Sequence, residues 1–326
     1  MRAWVKTALM KMPGHDAAQR HVWLLWLEPV LVMLLAPVFL FPSPHRSFLF
    51  LFMPLLFVLH FLARRRIAEP SPANAPLGLI LFMVLVSLYA TYDITLSLPK
   101  VAGVLLGAAA YFAIINFASS ARSLALVISA SLVGTVIFSV VGLLGAQWSS
   151  KVPVLGSIAA HLPRWIRGVP GAEEGFNPNA VAGTLILFLP FQIAILASFL
   201  KDHTKRRRLL LTVSASLFIN GSVLLLTQSR GGWLGLGVGL LLLFAWTYRW
   251  GKWLVAAAAL AGIVLLVRLG PEKAGDTMMA SIGGTVGAST TIEQRLELWE
   301  RAIYGITDFP FTGMGMNTFR KVVHVL

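Results

Sequence analysis

The sequence predicts an all-α fold, a polytopic integral membrane protein of about nine transmembrane helices. Three observations lead there. Of 326 residues, 57% are hydrophobic and only 12% are charged, a balance that excludes both a soluble globular domain and a disordered chain. Apolar runs approaching the roughly 20 residues needed to cross a bilayer recur along the whole chain. The net charge of +14 is gathered in clusters between those runs. In a soluble domain such an excess would point to nucleic acid. Between apolar runs it points to membrane topology and anionic lipid, so membrane lipids are expected partners and nucleic acid is not.

The expected spans, in order, are residues 22–41, 47–63, 76–92, 98–118, 124–145, 178–200, 209–226, 232–248 and 253–269. Alternate connections carry the positive clusters: Arg2, Lys6, Lys11 and Arg20; then Arg64, Arg65 and Arg66; then Arg122; then Lys201 with Lys205–Arg208; then Arg249 and Lys252. The positive-inside rule puts these connections, and the N-terminus, in the cytoplasm. An odd number of spans then leaves the tail after Leu269 outside. No Ala-x-Ala site follows the first apolar run, so no cleavable signal peptide is expected.

This divides the chain into a transmembrane bundle, 1–269, and the start of a large periplasmic loop, 270–326, incomplete at its last residue. The bundle carries one long outer loop at about 146–177. Long ordered loops usually carry function. Within the tail, Thr290, Thr291 and Glu293 open an amphipathic helix in which Leu296, Trp299, Ala302 and Ile303 recur at helical spacing. Asp308-Phe309-Pro310 ends it, and Gly313-Met314-Gly315-Met316-Asn317 makes a turn. Such a helix lies on the membrane surface or on the other outer loops.

Thr227-Gln228-Ser229-Arg230-Gly231-Gly232-Trp233 sits between the apolar runs 209–226 and 234–246. It holds a permanent positive charge on a Gly-Gly turn at the membrane surface. There the guanidinium can fork onto phosphate oxygens. Arg295, Arg301, Arg164 and Arg167 are further outer cations. Each also has a plainer reading, interfacial anchoring or, for Arg301, an i,i+4 pair with Glu297. Asn177-Pro178-Asn179 opens the sixth span. Asn177 caps it and Pro178 suits the first helical position, and the same asparagines could form a polar rim to a site.

His161 and His324 are the histidines of the two long outer loops and the candidate general bases. Glu173 and Glu174 are adjacent in sequence and read as structural. Asp93 reads as a cap or a partner of Lys100. Glu28 sits near an inner boundary and His60 one turn before Arg64, and no acid lies at mid-span to mark an ion pathway. No cofactor is expected. With no cysteine, no His-x-x-x-His and no Asp-x-Asp, no metal site is expected either.

Three elements in order resemble the O-antigen ligase family, whose superfamily also holds O-antigen polymerases and protein O-oligosaccharyltransferases. They are Ser229-Arg230-Gly231-Gly232-Trp233 between two spans, Arg295-x-x-x-Trp299, and Pro310-x-x-Gly313-x-Gly315-x-x-x-Phe319. Asn177-Pro178-Asn179-x-x-Ala182 is similar too. The resemblance implies a C-type glycosyltransferase fold in the bacterial inner membrane. It implies inverting, metal-independent transfer of a glycan from an undecaprenyl-diphosphate carrier to an acceptor, the lipid A core or a growing polysaccharide. It assigns diphosphate binding to Arg230 and Arg295, with Ser229, Asn177 and Asn179 as further substrate-binding candidates. The family's His-Asn motif, its source of the catalytic base, does not appear before Leu326. The catalytic residue is therefore unknown, His324 is a weak substitute, and an inactive, truncated member is expected. The alternatives are a transporter of a small anion such as bicarbonate and a non-catalytic remnant.

Overall fold

A computed structural model describes residues 24–148, 152–170, 172–201, 207–248, 250–281 and 288–323. Among them the regular structure is helical, with two isolated bridges, Ala146 to Phe176 and Val169 to Ala172, in place of strands. The helices are α1 (Leu24–Leu40), a 3-10 helix (Pro44–Phe52), α2 (Leu55–Arg64), α3 (Asn74–Ala90), α4 (Ile94–Phe117), α5 (Ala121–Gly145) and α6 (Pro153–Ala160). There follow α7 (Pro178–Lys201), α8 (Arg207–Leu226), α9 (Arg230–Thr247), α10 (Gly251–Ser281), α11 (Ala288–Asp308) and the short α12 (Phe319–Val322).

Each of the nine expected spans falls on an apolar helix. Six are long and apolar enough to cross a membrane: His45–Arg64, Ile94–Phe117, Ala121–Gly145, Pro178–Leu200, Leu209–Leu226 and Arg230–Thr247. Three are shorter: Trp26–Leu40, Asn74–Ala90 and Gly251–Val264. The protein is an all-helical, polytopic membrane protein. One span differs from the uninterrupted helix its apolar run suggested. The 3-10 helix gives way to α2 at Met53-Pro54, where the Met53 amide bonds to Phe50 O at 3.0 Å. Pro54 has no amide hydrogen and its ring crowds the preceding turn, which favours a change of helix type there, although α1, α4 and α7 run on through Pro29, Pro37, Pro99 and Pro190.

The chain forms two compact units, residues 1–127 with 294–326, and residues 128–293. In the first, α1 packs on α4 and α2, and α3 on α4. Ala102, Ala108 and Ala109 keep the α4 face small, and Phe39, Met53 and Leu56 fill against it. Phe39 and Phe50 stack with centroids 4.6 Å apart. The same unit buries a cluster of ionisable residues. Glu28 and His60 are fully buried, and His60 Nδ1 donates to Glu28 Oε1 at 3.1 Å. Asn116 Nδ2 donates to Glu28 Oε2 at 2.8 Å and accepts from the Glu69 amide at Oδ1. Arg64 donates to Ser119 and lies 3.8 Å from Glu69.

The tail of this unit closes onto the α3–α4 turn. Asn317 Nδ2 donates to Leu96 O at 2.9 Å, and Ser97 Oγ to Met316 O at 2.7 Å. Gly315, at φ +92°, leaves no room for a side chain: a Cβ there would stand 2.7 Å from Thr91 Cα. Asp93 caps α4, as one of its two sequence readings had it. Hydrogen bonds from the Thr95 side chain and amide hold its carboxyl below the usual carboxylate range. Arg301 pairs with Glu297 at 2.8 Å and donates to Val323 O, the structural role expected of it.

The second unit is built on α7, α8 and α9, with α10 against α9. Its core joins Val181, Ala182, Leu185 and Leu189 of α7 to Val223 and Leu224 of α8, with Ala146 and Trp148 from the loop after α5. A neutral polar cluster crosses its interior. Ser139 donates to Asn220 Oδ1 at 2.7 Å, Gln192 Nε2 to Thr135 at 3.0 Å, and Asn220 Nδ2 reaches Thr135, Gln192 and Ser216. Such groups hydrogen-bond across helices where lipid offers no partner.

Candidate functional site

The turn around Arg230 is fixed from below by its own buried residues. Thr227, Gln228 and Ser229 are all buried. Thr227 hydroxyl donates to Leu224 O at 2.6 Å, satisfying a carbonyl at the end of α8. Gln228 takes the left-handed conformation, φ +49°. That reversal lets α9 start at once. Ser229 caps it, its hydroxyl accepting the Gly232 amide at 3.2 Å, as serine does where the first amides have no helical partner. Trp233 Nε1 donates back to Leu224 O at 3.3 Å. Arg230 is therefore the first helical residue of α9, half exposed on a rigid base.

α7 begins in the same way. Asn177 Oδ1 accepts the Asn179 amide at 2.8 Å, and Pro178 stands at the first helical position. Both asparagines are exposed. α7 and α9 then pack side by side along a seam of small residues. A Cβ on Gly232 would lie 2.8 Å from Ala182 Cβ, one on Gly235 3.0 Å from Ile186, and one on Gly239 3.3 Å from Pro190. Gly231 and Gly237 have open space instead. With Ala182 in the first turns of α7 and Gly232 in the first turn of α9, the two helices start at one level and run parallel.

The electrostatic consequence is direct. Each helix N-terminus carries about half a positive charge from its aligned peptide dipoles and unpaired amides. Two of them stand adjacent, with no acidic residue in the first turn of either. Arg230 adds a full charge. An arrangement of this kind is a ready-made anion site.

The outer loop is tied to the same end. Gln228 Oε1 accepts the Val152 amide at 2.7 Å. The Gln147 amide bonds to Phe176 O at 2.9 Å and the Phe176 amide to Gly145 O at 2.7 Å, so the loop's two ends close on each other. Gly175, at φ +119°, is pressed against Gly145 O and has no room for a side chain. Between these ends, Arg164 reaches Trp148 O at 3.4 Å and stays exposed with Trp165 and Arg167. Glu174 accepts from Gln147 at 3.3 Å, the minor, structural role expected of it. His161 is bonded to Ser157 O at 2.7 Å on its own short helix.

Arg230, Ser229, Asn177 and Asn179 are thus brought to one end of one unit. Arg295 stands in α11, whose residues from Gln294 onward belong to the other unit. Its side chain and the whole of His324 lie outside the described residues. Among the described residues no three of His, Asp, Glu and Cys gather as a metal-holding group. Sequence reasoning missed two parts of the site. Gln228 gives no turn signal, because glutamine is not a residue type that favours a left-handed conformation. The glycine seam was legible in principle, as Gly232, Gly235 and Gly239 recur at helical spacing, but nothing in sequence tells them from Gly231 and Gly237.

Residues 215–324 match the family model described as O-Antigen ligase. The matched stretch holds the Arg230 turn, the seam of α9, α11 and the Gly313–Thr318 turn. The match covers about the last third of the chain and supports the resemblance to O-antigen ligases and polymerases that the motifs carry. No curated protein and no solved structure matches the chain.

Proposed function

We propose, with that resemblance as the premise, that this protein moves a glycan from an undecaprenyl-diphosphate carrier to an acceptor hydroxyl on the outer side of the bacterial inner membrane. The acceptor is the lipid A core or a growing polysaccharide. The observation that carries the reading is the paired N-termini of α7 and α9 with Arg230 at their mouth. Two like dipole ends side by side repel each other, and a bound diphosphate relieves that repulsion. Arg230 would fork onto the phosphate oxygens, and Arg295 is assigned a second grip by the resemblance. Asn177 and Asn179 would rim the site. Ser229 would act through its cap, by holding the first turn of α9 in place.

The chemistry follows from the leaving group. The acceptor oxygen attacks the anomeric carbon as the bond from that carbon to the diphosphate oxygen breaks, and the sugar inverts. Negative charge grows on the departing diphosphate, where preorganised amides and a guanidinium are most effective. The acceptor's proton passes to a base, which the resemblance expects to be a histidine of the last outer loop. The transporter reading finds no support in the family match, which is to ligases.

Binding of undecaprenyl-diphosphate glycan to purified protein tests this. Arg230→Lys keeps the charge and loses the fork, so affinity should fall about tenfold or more, the range of a charged hydrogen bond. Equal binding by wild type and Arg230→Lys removes the clamp. Orientation has its own check. The chain has no cysteine, so single cysteines report cleanly. One near Ser289 should react with an impermeant thiol reagent in intact cells, and one at Arg65 should not. The reverse pattern puts the Arg230 end in the cytoplasm and removes the proposed reaction.

A further inference from the structure

The first unit has a cavity of its own, far along the chain from the residues above. Phe57, Arg66, Ile67, Ala68, Pro70, Asn74 and Phe112 line a largely open surface cavity of about 700 Å³. Its inner wall is apolar, and Phe57 and Phe112 meet edge to face with centroids 4.9 Å apart. Its polar lining is one guanidinium, Arg66, and one amide, Asn74. Asn74 is already committed: it donates to Glu69 O and accepts from Tyr111 hydroxyl.

The three consecutive arginines differ in what they touch. Arg64 is held by Ser119 and Glu69. Arg65 lies over the Phe61 ring at 5.9 Å. Arg66 is exposed, and no ion pair or hydrogen bond to it is found among the described residues. The span His45–Arg64 ends two residues before it. Phe57 lies seven positions back along that chain, about 10 Å deeper at the helical rise. The cavity thus runs from headgroup level, where its one uncommitted charge sits, to the depth of hydrocarbon.

We infer that this cavity holds one anionic phospholipid, its acyl chain against Phe57 and Phe112 and its phosphate on Arg66. A soluble anion would gain nothing from the apolar wall, and a zwitterionic lipid gains less from the arginine, because its own choline cation offsets the phosphate. Basic pockets between transmembrane helices recognise anionic headgroups on these terms.

Native mass spectrometry of the full chain in detergent tests the site with phosphatidylglycerol, phosphatidylcholine and glycerol 3-phosphate as separate probes. Wild type should retain one phosphatidylglycerol in preference to phosphatidylcholine and should not retain glycerol 3-phosphate. Arg66→Gln should weaken phosphatidylglycerol retention about fivefold, the size expected for one basic residue at an anionic surface, and Arg66→Lys should restore much of it. Ala68→Trp, which fills the cavity and leaves the charge, should weaken it as well. Circular dichroism on each variant keeps a folding defect from passing as lost affinity. Equal retention of both lipids, retention of glycerol 3-phosphate alone, or no change in folded Arg66→Gln and Ala68→Trp would each overturn the assignment.

Discussion

Both units bury polar side chains among apolar helices, and they do so in opposite ways. The first buries ionisable groups: Glu28 and His60, with Arg64 and Glu69 at the edge. Among its described residues the polar groups that the second buries are neutral, with Thr135, Ser139, Gln192, Ser216 and Asn220 in one cluster and Thr227, Gln228 and Ser229 at the Arg230 turn. The neutral cluster is closed on itself. The ionisable one is not: among the described residues His60 Nε2 and Arg64 Nε are buried with no hydrogen-bond partner, and Glu69 lies 3.9 Å from His60 Nε2 and 3.8 Å from Arg64 Nη1. A neutral amide among helices in lipid finds substitutes when a partner is lost. A carboxylate cannot, because its charge must be balanced where it lies. The first unit therefore depends on a few pairings and the second on many interchangeable ones.

The largest expected effect tests that dependence. Glu28→Ala leaves His60 and Asn116 buried without their acceptor. It should cost about 3–5 kcal/mol, as breaking a buried pair from one side does. Thermal unfolding in detergent measures it. Glu28→Leu combined with His60→Leu should recover part of the loss. A Glu28→Ala loss no larger than that of the neutral variant below would erase the contrast between the units.

Asn220→Leu is that neutral counterpart. It removes the hub of the second cluster, yet Gln192 keeps Thr135 and Thr135 keeps Leu132 O. The expected cost is about 1 kcal/mol, the scale of an interhelical hydrogen bond in a membrane. The same unfolding assay measures it, and a loss rivalling Glu28→Ala would mean the second cluster works as one cooperative unit.

The contrast also marks what could be read from sequence. Spans were legible because a bilayer imposes one length and one composition on every crossing helix. The Asn177-Pro178 cap was legible because caps are local chemistry, but the Arg230 turn was misplaced: Gly231 and Gly232, read as the turn, lie in the first turn of α9, and Gln228 makes the reversal. Arg301 with Glu297 was legible because i,i+4 neighbours meet on any helix. The buried clusters were not. Glu28 is 32 positions from His60 and 88 from Asn116, and each looks like a boundary residue in its own run. Only the crossing of α1, α2 and α4 brings them together. Asn220 and Gln192 were hidden for the same reason. The break at Met53-Pro54 was visible as a proline but outweighed by the apolar run around it.

The smallest effect isolates burial from charge. Asp93 is an acidic residue of the first unit, like Glu28, but it is only half-buried and acts as the cap of α4. Hydrogen bonds from the Thr95 side chain and amide stabilise its ionised form, so its folded pKa lies below its ordinary value of 3.8. The sign follows. A depressed carboxylate contributes stability above the unfolded value and loses it as pH falls through the folded one. Wild type should therefore give up a small increment on acidification below pH 3.8. Asp93→Asn can still cap, but it has no charge to lose. It should start slightly less stable near neutral pH and lack that increment, so the two curves should converge in acid. The measurement is the difference in unfolding temperature between the two proteins as pH is lowered, which cancels every other titrating group. Parallel curves would remove the Asp93 charge as a contributor. A gap as wide as that of Glu28→Ala would show that charge alone, without full burial, makes the first unit dependent on its pairings.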